Sequence, residues 1–223
     1  MSIVAHPSRR AERPPIRNRS IVRRAPKKNS SHKENGGANG TGTVFKITPT
    51  GTLTTLYSFC SQTNCTDGAS PAAGLVQATD GDFCGTTVGD GANGAGGTIF
   101  KITPSGTLTT LYSFCSQSGC TDGSIAGAGL VQATDGDFYG TTFSLNLNYC
   151  TVFKITPSGT LTTLYSFCSQ PNCTDGALPS GRLVQDTNGD FYGTAGGSGG
   201  YNYGNVFRLS TARPQESHVF AIV

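Results

Sequence analysis

The sequence predicts an all-β protein of tandem four-stranded blades, β-propeller-like and partial or open at about three and a half blades. Three observations carry this expectation. One unit of about 54 residues recurs along the chain. Within it, short β-favouring runs alternate with Asp-Gly and Pro-Ser-Gly turns. Apolar side chains also fall on both faces of the strands, as in a sheet covered on both sides.

The repeat is read by aligning the chain with itself. Residues 42–59 (GTVFKITPTGTLTTLYSF) return almost unchanged at 97–114 and 150–167. The offsets from Val44 to Ile99, Ile99 to Val152 and Val152 to Val206 are 55, 53 and 54 residues. A second block, GLVQATDGDFCGTT at 74–87, returns at 129–142 and, as RLVQDTNGDFYGT, at 182–194. Units are therefore placed at 42–73, 74–128, 129–181 and 182–223. In the last unit the fourth copy of the first block is degenerate, opening at 204–209, with Val219–Ile222 as its candidate second strand.

Each unit reads as four strands. Leu75–Ala78 is the first; Asp80-Gly81 then turns the chain as a two-residue type I′ hairpin into Asp-Phe-Cys-Gly-Thr-Thr. After a Gly-rich loop comes Thr-Ile-Phe-Lys-Ile-Thr, then Pro104-Ser105-Gly106, where Pro sets φ and Gly takes the left-handed position. The fourth strand is Leu-Thr-Thr-Leu-Tyr-Ser-Phe. Strict alternation places Leu53, Tyr57 and Phe59 on one face and Leu56 on the other.

Composition agrees. Gly makes up 31 of 223 residues and charged residues only 13%, against about 7% and 25% in ordinary domains. The net charge of +3 hides a split. Residues 1–41 carry ten Lys or Arg against Glu12 and Glu34, giving +8, and the rest of the chain carries −5. The leader 1–41 is expected to be a solvated disordered tail. Nucleic-acid binding through Arg23, Arg24, Lys27 and Lys28 is the less favoured reading. No run of apolar residues is long enough to span a membrane, and no apolar signal core follows Met1.

The blocks Leu-Val-Gln-Ala-Thr-Asp-Gly-Asp-Phe-Tyr-Gly-Thr-Thr and Gly-Thr-Val-Phe-Lys-Ile-Thr-Pro-Ser-Gly-Thr resemble the GloVer tandem repeat of bacterial choice-of-anchor proteins. The resemblance covers residues 42–209. It implies a secreted or cell-surface β-repeat protein and implies no reaction.

Six of the eight cysteines fall in three copies of Cys-Ser-Gln-x-x-Cys-Thr-Asp-Gly: Cys60 and Cys65, Cys115 and Cys120, Cys168 and Cys173. They are disulfide candidates, with reduced structural thiols as the alternative. Zinc needs four ligands where each pair offers two, and a redox dithiol favours Cys-x-x-Cys. Paired cysteines point to an oxidising compartment. Cys84 and Cys150 replace Tyr and Gly of the sibling units and read as single substitutions; a Cys84–Cys150 bond is the other option.

No residue set is expected to be catalytic, to hold a cofactor or to ligate a metal. Asp67, Asp122 and Asp175, and Asp80, Asp82, Asp135, Asp137 and Asp190 in the hairpins, read as turn residues rather than calcium ligands. His6, His32 and His218 lie outside the well-formed repeats, so a nucleophile in the array lacks a base. Tyr139, Tyr192, Tyr201 and Tyr203 read as packing residues before sugar-stacking ones. The expected function is a non-enzymatic extracytoplasmic scaffold for structure, binding or adhesion, its partner a cell-surface protein or polysaccharide. A carbohydrate-active hydrolase or lyase on the same scaffold is the alternative.

Overall fold

The computed structural model describes residues 36–94, 96–144, 150–197, 204–210 and 219–222, the last as backbone alone. The leader up to residue 35, the 145–148 stretch, Tyr201, Tyr203 and all three histidines lie outside the described residues.

Four separate antiparallel sheets follow one another along the chain. The first is the hairpin β1 (Thr43–Ile47) and β2 (Leu53–Ser58). The second holds β3 (Val76–Gln77), β4 (Phe83–Thr86), β5 (Thr98–Ile102) and β6 (Leu108–Ser113) in chain order. The third repeats it with β7 (Val131–Gln132), β8 (Phe138–Thr141), β9 (Thr151–Ile155) and β10 (Leu161–Ser166). The fourth carries β11 (Ala177–Pro179), β12 (Val184–Gln185), β13 (Phe191–Gly197), β14 (Asn205–Leu209) and β15 (Val219–Ile222), with β11 and β12 both pairing β13. The degenerate copy therefore still pairs its last strand.

The sheets stack face to face as propeller-like blades in an open array. Each core layer joins consecutive sheets: Val44 and Phe59 with Phe100 and Ile102; Cys84, Ile99 and Phe114 with Phe138, Phe153 and Ile155; Val152 and Phe167 with Leu183, Phe191 and Phe207. Strand β5 shows the two-sided burial directly, because Ile99, Phe100 and Ile102 are all 0% exposed while pointing to opposite neighbours. The same edge-to-face contact marks every junction: Phe59 on Phe100, Phe114 on Phe153 and Phe167 on Phe207, at 5.0, 5.3 and 5.0 Å between centroids. These rings need room. Gly140 lies opposite Phe153 in the β8–β9 ladder, and a Cβ there would come within 2.6 Å of that ring and 2.9 Å of Leu130.

Two local expectations are corrected. Between Ile99 and Phe100 the β5–β6 register slips, so Leu111 is an extra residue, a β-bulge. The bulge resets the alternation: Leu108 faces the preceding sheet while Leu111, Tyr112 and Phe114 all face the following one. In the first sheet the same shift separates Leu53, 51% exposed, from Leu56, Tyr57 and Phe59. Nor is Asp80-Gly81 a type I′ turn. Asp80 keeps negative φ, Gly81 has φ +93°, the Gly81 N–H bonds Ala78 O at 3.0 Å and the Ala78 N–H bonds Asp82 O at 2.8 Å. That is a type I turn closed by a left-handed glycine, the same device that Thr48–Thr52 uses with Gly51 at +89°.

Candidate functional site

The register gives each sheet two distinct ends. The Asp-Gly and Pro-Ser-Gly turns lie together where β4 begins and β5 ends, and the cystine loops leave the opposite end, where β5 begins and β6 finishes. The cystine loops repeat an unchanged Cys-Ser-Gln-x-x-Cys-Thr-Asp-Gly frame around a varied pair of residues, so they form the candidate site.

Each loop starts directly after a buried phenylalanine (Phe59, Phe114, Phe167) and closes as a disulfide: Cys60–Cys65, Cys115–Cys120, Cys168–Cys173. A short 3-10 turn sits inside, at Thr63–Cys65, Ser118–Cys120 and Pro171–Cys173. Backbone bonds clamp the base, with Cys60 N–H donating to Gly68 O at 3.2 Å and Gly68 N–H to Cys65 O at 2.8 Å. The loop also grips the following sheet, since Gly91 N–H donates to Cys65 O at 3.1 Å. Closing a six-residue loop stabilises the fold by about 2 kcal/mol through the unfolded chain.

At the centre is an aspartate sealed from water. Asp67 and Asp122 are 0% exposed and Asp175 6%. Asp122 Oδ2 accepts from Tyr112 OH at 2.8 Å, Ser116 N–H at 2.9 Å and Ser116 Oγ at 3.0 Å, and Oδ1 accepts from Gln117 N–H at 3.4 Å. Asp67 and Asp175 repeat the pattern with Tyr57 and Ser61, and with Tyr165 and Ser169. Convergent donors are what allow a carboxylate to be buried without a cation. The tyrosines register this environment. Tyr57, Tyr112 and Tyr165 all titrate above their ordinary value, first because burial disfavours phenolate and then because each donates to its aspartate, with the neighbouring serine opposing. These aspartates are thus the internal braces of the loops, a role beyond the turn propensity that the sequence suggested. A signal was present: the ten-residue Tyr-to-Asp spacing recurs three times without change.

The tip is where the copies differ. Between the invariant Gln and the second Cys stand Thr63-Asn64, Ser118-Gly119 and Pro171-Asn172, all exposed. The second position is held left-handed, at φ 56°, 70° and 56°, which restricts it to Asn or Gly. The first position carries the variation.

The other candidates are placed as follows. Asp80 and Asp135 accept, through Oδ1, the N–H two residues on at 3.0 Å, and Asn188 does the same for Asp190 at 2.9 Å. Asp82, Asp137 and Asp190 meet Lys101, Lys154 and Arg208 at 3.4, 2.9 and 2.9 Å across the adjacent strand. Tyr139 is buried and Tyr192 half-buried. Cys84 and Cys150 are free buried thiols in different core layers. Burial, and secondarily Asp80, push the Cys84 thiol up to about 12.

A family model described as the Gloeobacter/Verrucomicrobia repeat matches residues 31–207. No curated protein matches the sequence. Among solved structures, the chain is similar to a protein of unknown function from Dyadobacter fermentans, at 13% identity and TM-score 0.51 over 83% of this chain and 58% of that one. It is also similar to a luciferin-regenerating enzyme at 14% identity and TM-score 0.49, over 84% of this chain and 61% of that one. A third match is an α-L-arabinofuranosidase from Clostridium thermocellum, at 12% identity and TM-score 0.44, over 92% and 72%. The chain therefore spans about three fifths of the length of the first two.

Proposed function

The chain belongs to the Gloeobacter/Verrucomicrobia repeat family, and from that premise we propose that it is a non-enzymatic extracytoplasmic scaffold presenting its cystine loops to a cell-surface protein or polysaccharide. One observation carries the reading. In three tandem copies the frame of Cys, Ser, Gln, Cys, Thr, Asp and Gly is unchanged around a buried Asp-Gly base, and variation within it is confined to the two exposed tip positions. A rigid frame with a variable tip suits recognition, because the loop is ordered before it binds and little entropy is lost on contact. Three copies spaced one blade apart favour a repetitive partner through avidity. Three disulfides favour an oxidising compartment, and no helix among the described residues is long and apolar enough to cross a membrane.

The test uses immobilised bacterial surface polysaccharides and surface proteins. Saturable binding is expected, weakened at least tenfold by the combined tip variant Thr63→Lys, Ser118→Lys and Pro171→Lys, which leaves the unvaried frame intact. Release of reducing ends from a polysaccharide by wild type and tip variant alike would overturn the scaffold reading in favour of a hydrolase.

A further inference from the structure

The repeat also shows what the first sheet lacks. In the second and third sheets β5 and β9 are central, paired on one side with β4 and β8 and on the other with β6 and β10. Their copy β1 pairs with β2 alone. The direction of its remaining backbone groups follows from β5. There Thr87 N–H donates to Thr98 O at 2.9 Å on the β4 side, and Thr103 N–H donates to Thr107 O at 3.0 Å on the β6 side. Alternate residues of a strand bond to opposite sides, so Thr98, Phe100 and Ile102 serve β4. The N–H and C=O groups of their equivalents Thr43, Phe45 and Ile47 therefore point to the side of β1 on which no strand pairs among the described residues.

This edge is held in its working shape. Gly42 N–H donates to Gly36 O at 2.8 Å, as Gly97 N–H does to Asp90 O at 3.0 Å, and Phe59 N–H donates to Gly42 O at 3.0 Å, as Phe114 N–H does to Gly97 O at 3.0 Å. Val44 and Phe45 are buried, so β1 has main-chain groups rather than apolar faces to offer. Its sibling sheets state what fits beside it. Opposite the phenylalanine stands Gly85, Gly140 or Gly193, where a Cβ would come within 2.7, 2.6 or 2.4 Å of the ring. At the next position Lys101, Lys154 and Arg208 meet Asp82, Asp137 and Asp190 at 3.4, 2.9 and 2.9 Å. Lys46, at the same position in β1, is exposed and meets no carboxylate among the described residues. A lysine on an open edge deters indiscriminate pairing, so an acid is needed to answer it. Beyond the glycine, Thr87 and Thr142 bond the hydroxyls of Thr98 and Thr151 at 2.9 and 2.8 Å, and Thr43 is the copy of those partners. The complementary segment thus reads Asp-Phe-x-Gly-Thr-Thr. Residues 28–32, one repeat length before β4, contain neither Phe nor Gly. In a second copy of the chain, each such segment is already an inner strand of its own sheet.

We propose that β1 is an acceptor edge for strand addition, taking an unpaired Asp-Phe-x-Gly-Thr-Thr segment of another polypeptide as the third strand of the first sheet. The segment lies antiparallel to β1, with its Gly opposite Phe45 and its Asp beside Lys46. Main-chain bonds to Thr43, Phe45 and Ile47 supply the attraction, and the Gly and Asp positions supply the selection. The edge is separate from the cystine-loop tips and stands independently of the scaffold reading.

The experiment titrates the full chain with the labelled peptide Gly-Asp-Phe-Tyr-Gly-Thr-Thr, the sequence of residues 136–142, and follows fluorescence anisotropy and amide hydrogen exchange. Saturable binding is expected, with slowed exchange at Thr43, Phe45 and Ile47. N-methylation of the peptide's inner Gly removes a bond to β1 and is expected to weaken binding at least tenfold. N-methylation of its Tyr, whose N–H faces away from β1, is expected to change it less than threefold. Replacing the inner Gly by Val is expected to weaken binding at least tenfold, and the exposed-site variant Lys46→Glu at least threefold. The proposal is overturned if the peptide fails to saturate, if the two N-methylated peptides bind equally, or if protection appears on β6 or β10 instead. It is also overturned if the chain alone is a dimer in which the Thr43, Phe45 and Ile47 amides are already protected, because a second copy would then be the occupant.

Discussion

At the cystine-loop end of the first three sheets an aspartate is sealed from water and read by several donors, whereas at the hairpin-turn end of the second and third sheets Asp80 and Asp135 face solvent and Asp82 and Asp137 are partly exposed. The contacts there are one backbone N–H and a partly exposed cation; Asp190 of the fourth sheet is the buried exception. Residue type is the same at both ends; only desolvation differs. The consequence is a stiff end and a soft end on one sheet. Buried acceptors with convergent donors are costly to disturb, because each orphaned donor loses both its bond and its water. Exposed acceptors exchange a protein donor for water at little cost.

The sharpest way to break this comparison is to delete one carboxylate at each end. Asp122→Ala leaves Tyr112, Ser116 and Gln117 without their acceptor and is expected to lower the unfolding free energy by about 3 kcal/mol. Asp80→Ala removes one Asx bond and a long, exposed ion pair to Lys101 at 3.9 Å, and is expected to cost less than about 1 kcal/mol. Urea midpoints at constant m-value measure both. Equal losses would show that burial does not set the hierarchy.

The next effect is covalent. Replacing Cys115 and Cys120 together by Ser is expected to cost about 2 kcal/mol, the chain-entropy value for a six-residue loop. The phenylalanine junctions should survive, so near-ultraviolet circular dichroism should persist. Because the core layers among the described residues join consecutive sheets, the same change at Cys168 and Cys173 should add independently.

A smaller effect separates hydrogen bonding from packing at the stiff end. Tyr112→Phe keeps the ring on Phe114, at 5.5 Å, and removes one of the bonds to Asp122, for an expected loss of about 1 kcal/mol. It also tests the titration. The folded pKa of Tyr112 lies above its unfolded value near 10, so its contribution is fully present below pH 10 and lost as pH rises through the folded value. Thermal melts between pH 8 and pH 11 should fall less steeply for Tyr112→Phe than for wild type.

Much of the architecture was legible in the sequence because a repeat states its own period: the strand order in the second and third sheets and the paired strand at Val219–Ile222 follow from aligned copies. The facing of Leu111 was not, since a one-residue bulge inverts alternation without changing composition. The hairpin turn type was hidden for a similar reason, as Asp-Gly serves both a type I′ turn and a type I turn with a left-handed glycine. Asp122 reads like any turn aspartate until Tyr112 is seen to bond it across ten residues. Cys84 was visible as a broken symmetry, yet its burial depends on Phe138 and the other core residues of the next blade.

The smallest effect belongs to the charge pairs of the soft end. Lys154 and Asp137 approach to 2.9 Å with side chains 32% and 17% exposed, and Lys101 reaches Asp82 at 3.4 Å. Partly exposed pairs of this kind contribute about 0.5 kcal/mol after solvent screening and side-chain ordering. Lys154→Ala should therefore shift the urea midpoint barely beyond error, and raising NaCl to 1 M, where screening acts over about 3 Å, should leave the wild-type protein nearly as stable. A loss above about 1.5 kcal/mol for Lys154→Ala would mean that the pair is desolvated by the adjacent blade, and the hairpin-turn end would then have to be counted with the stiff one.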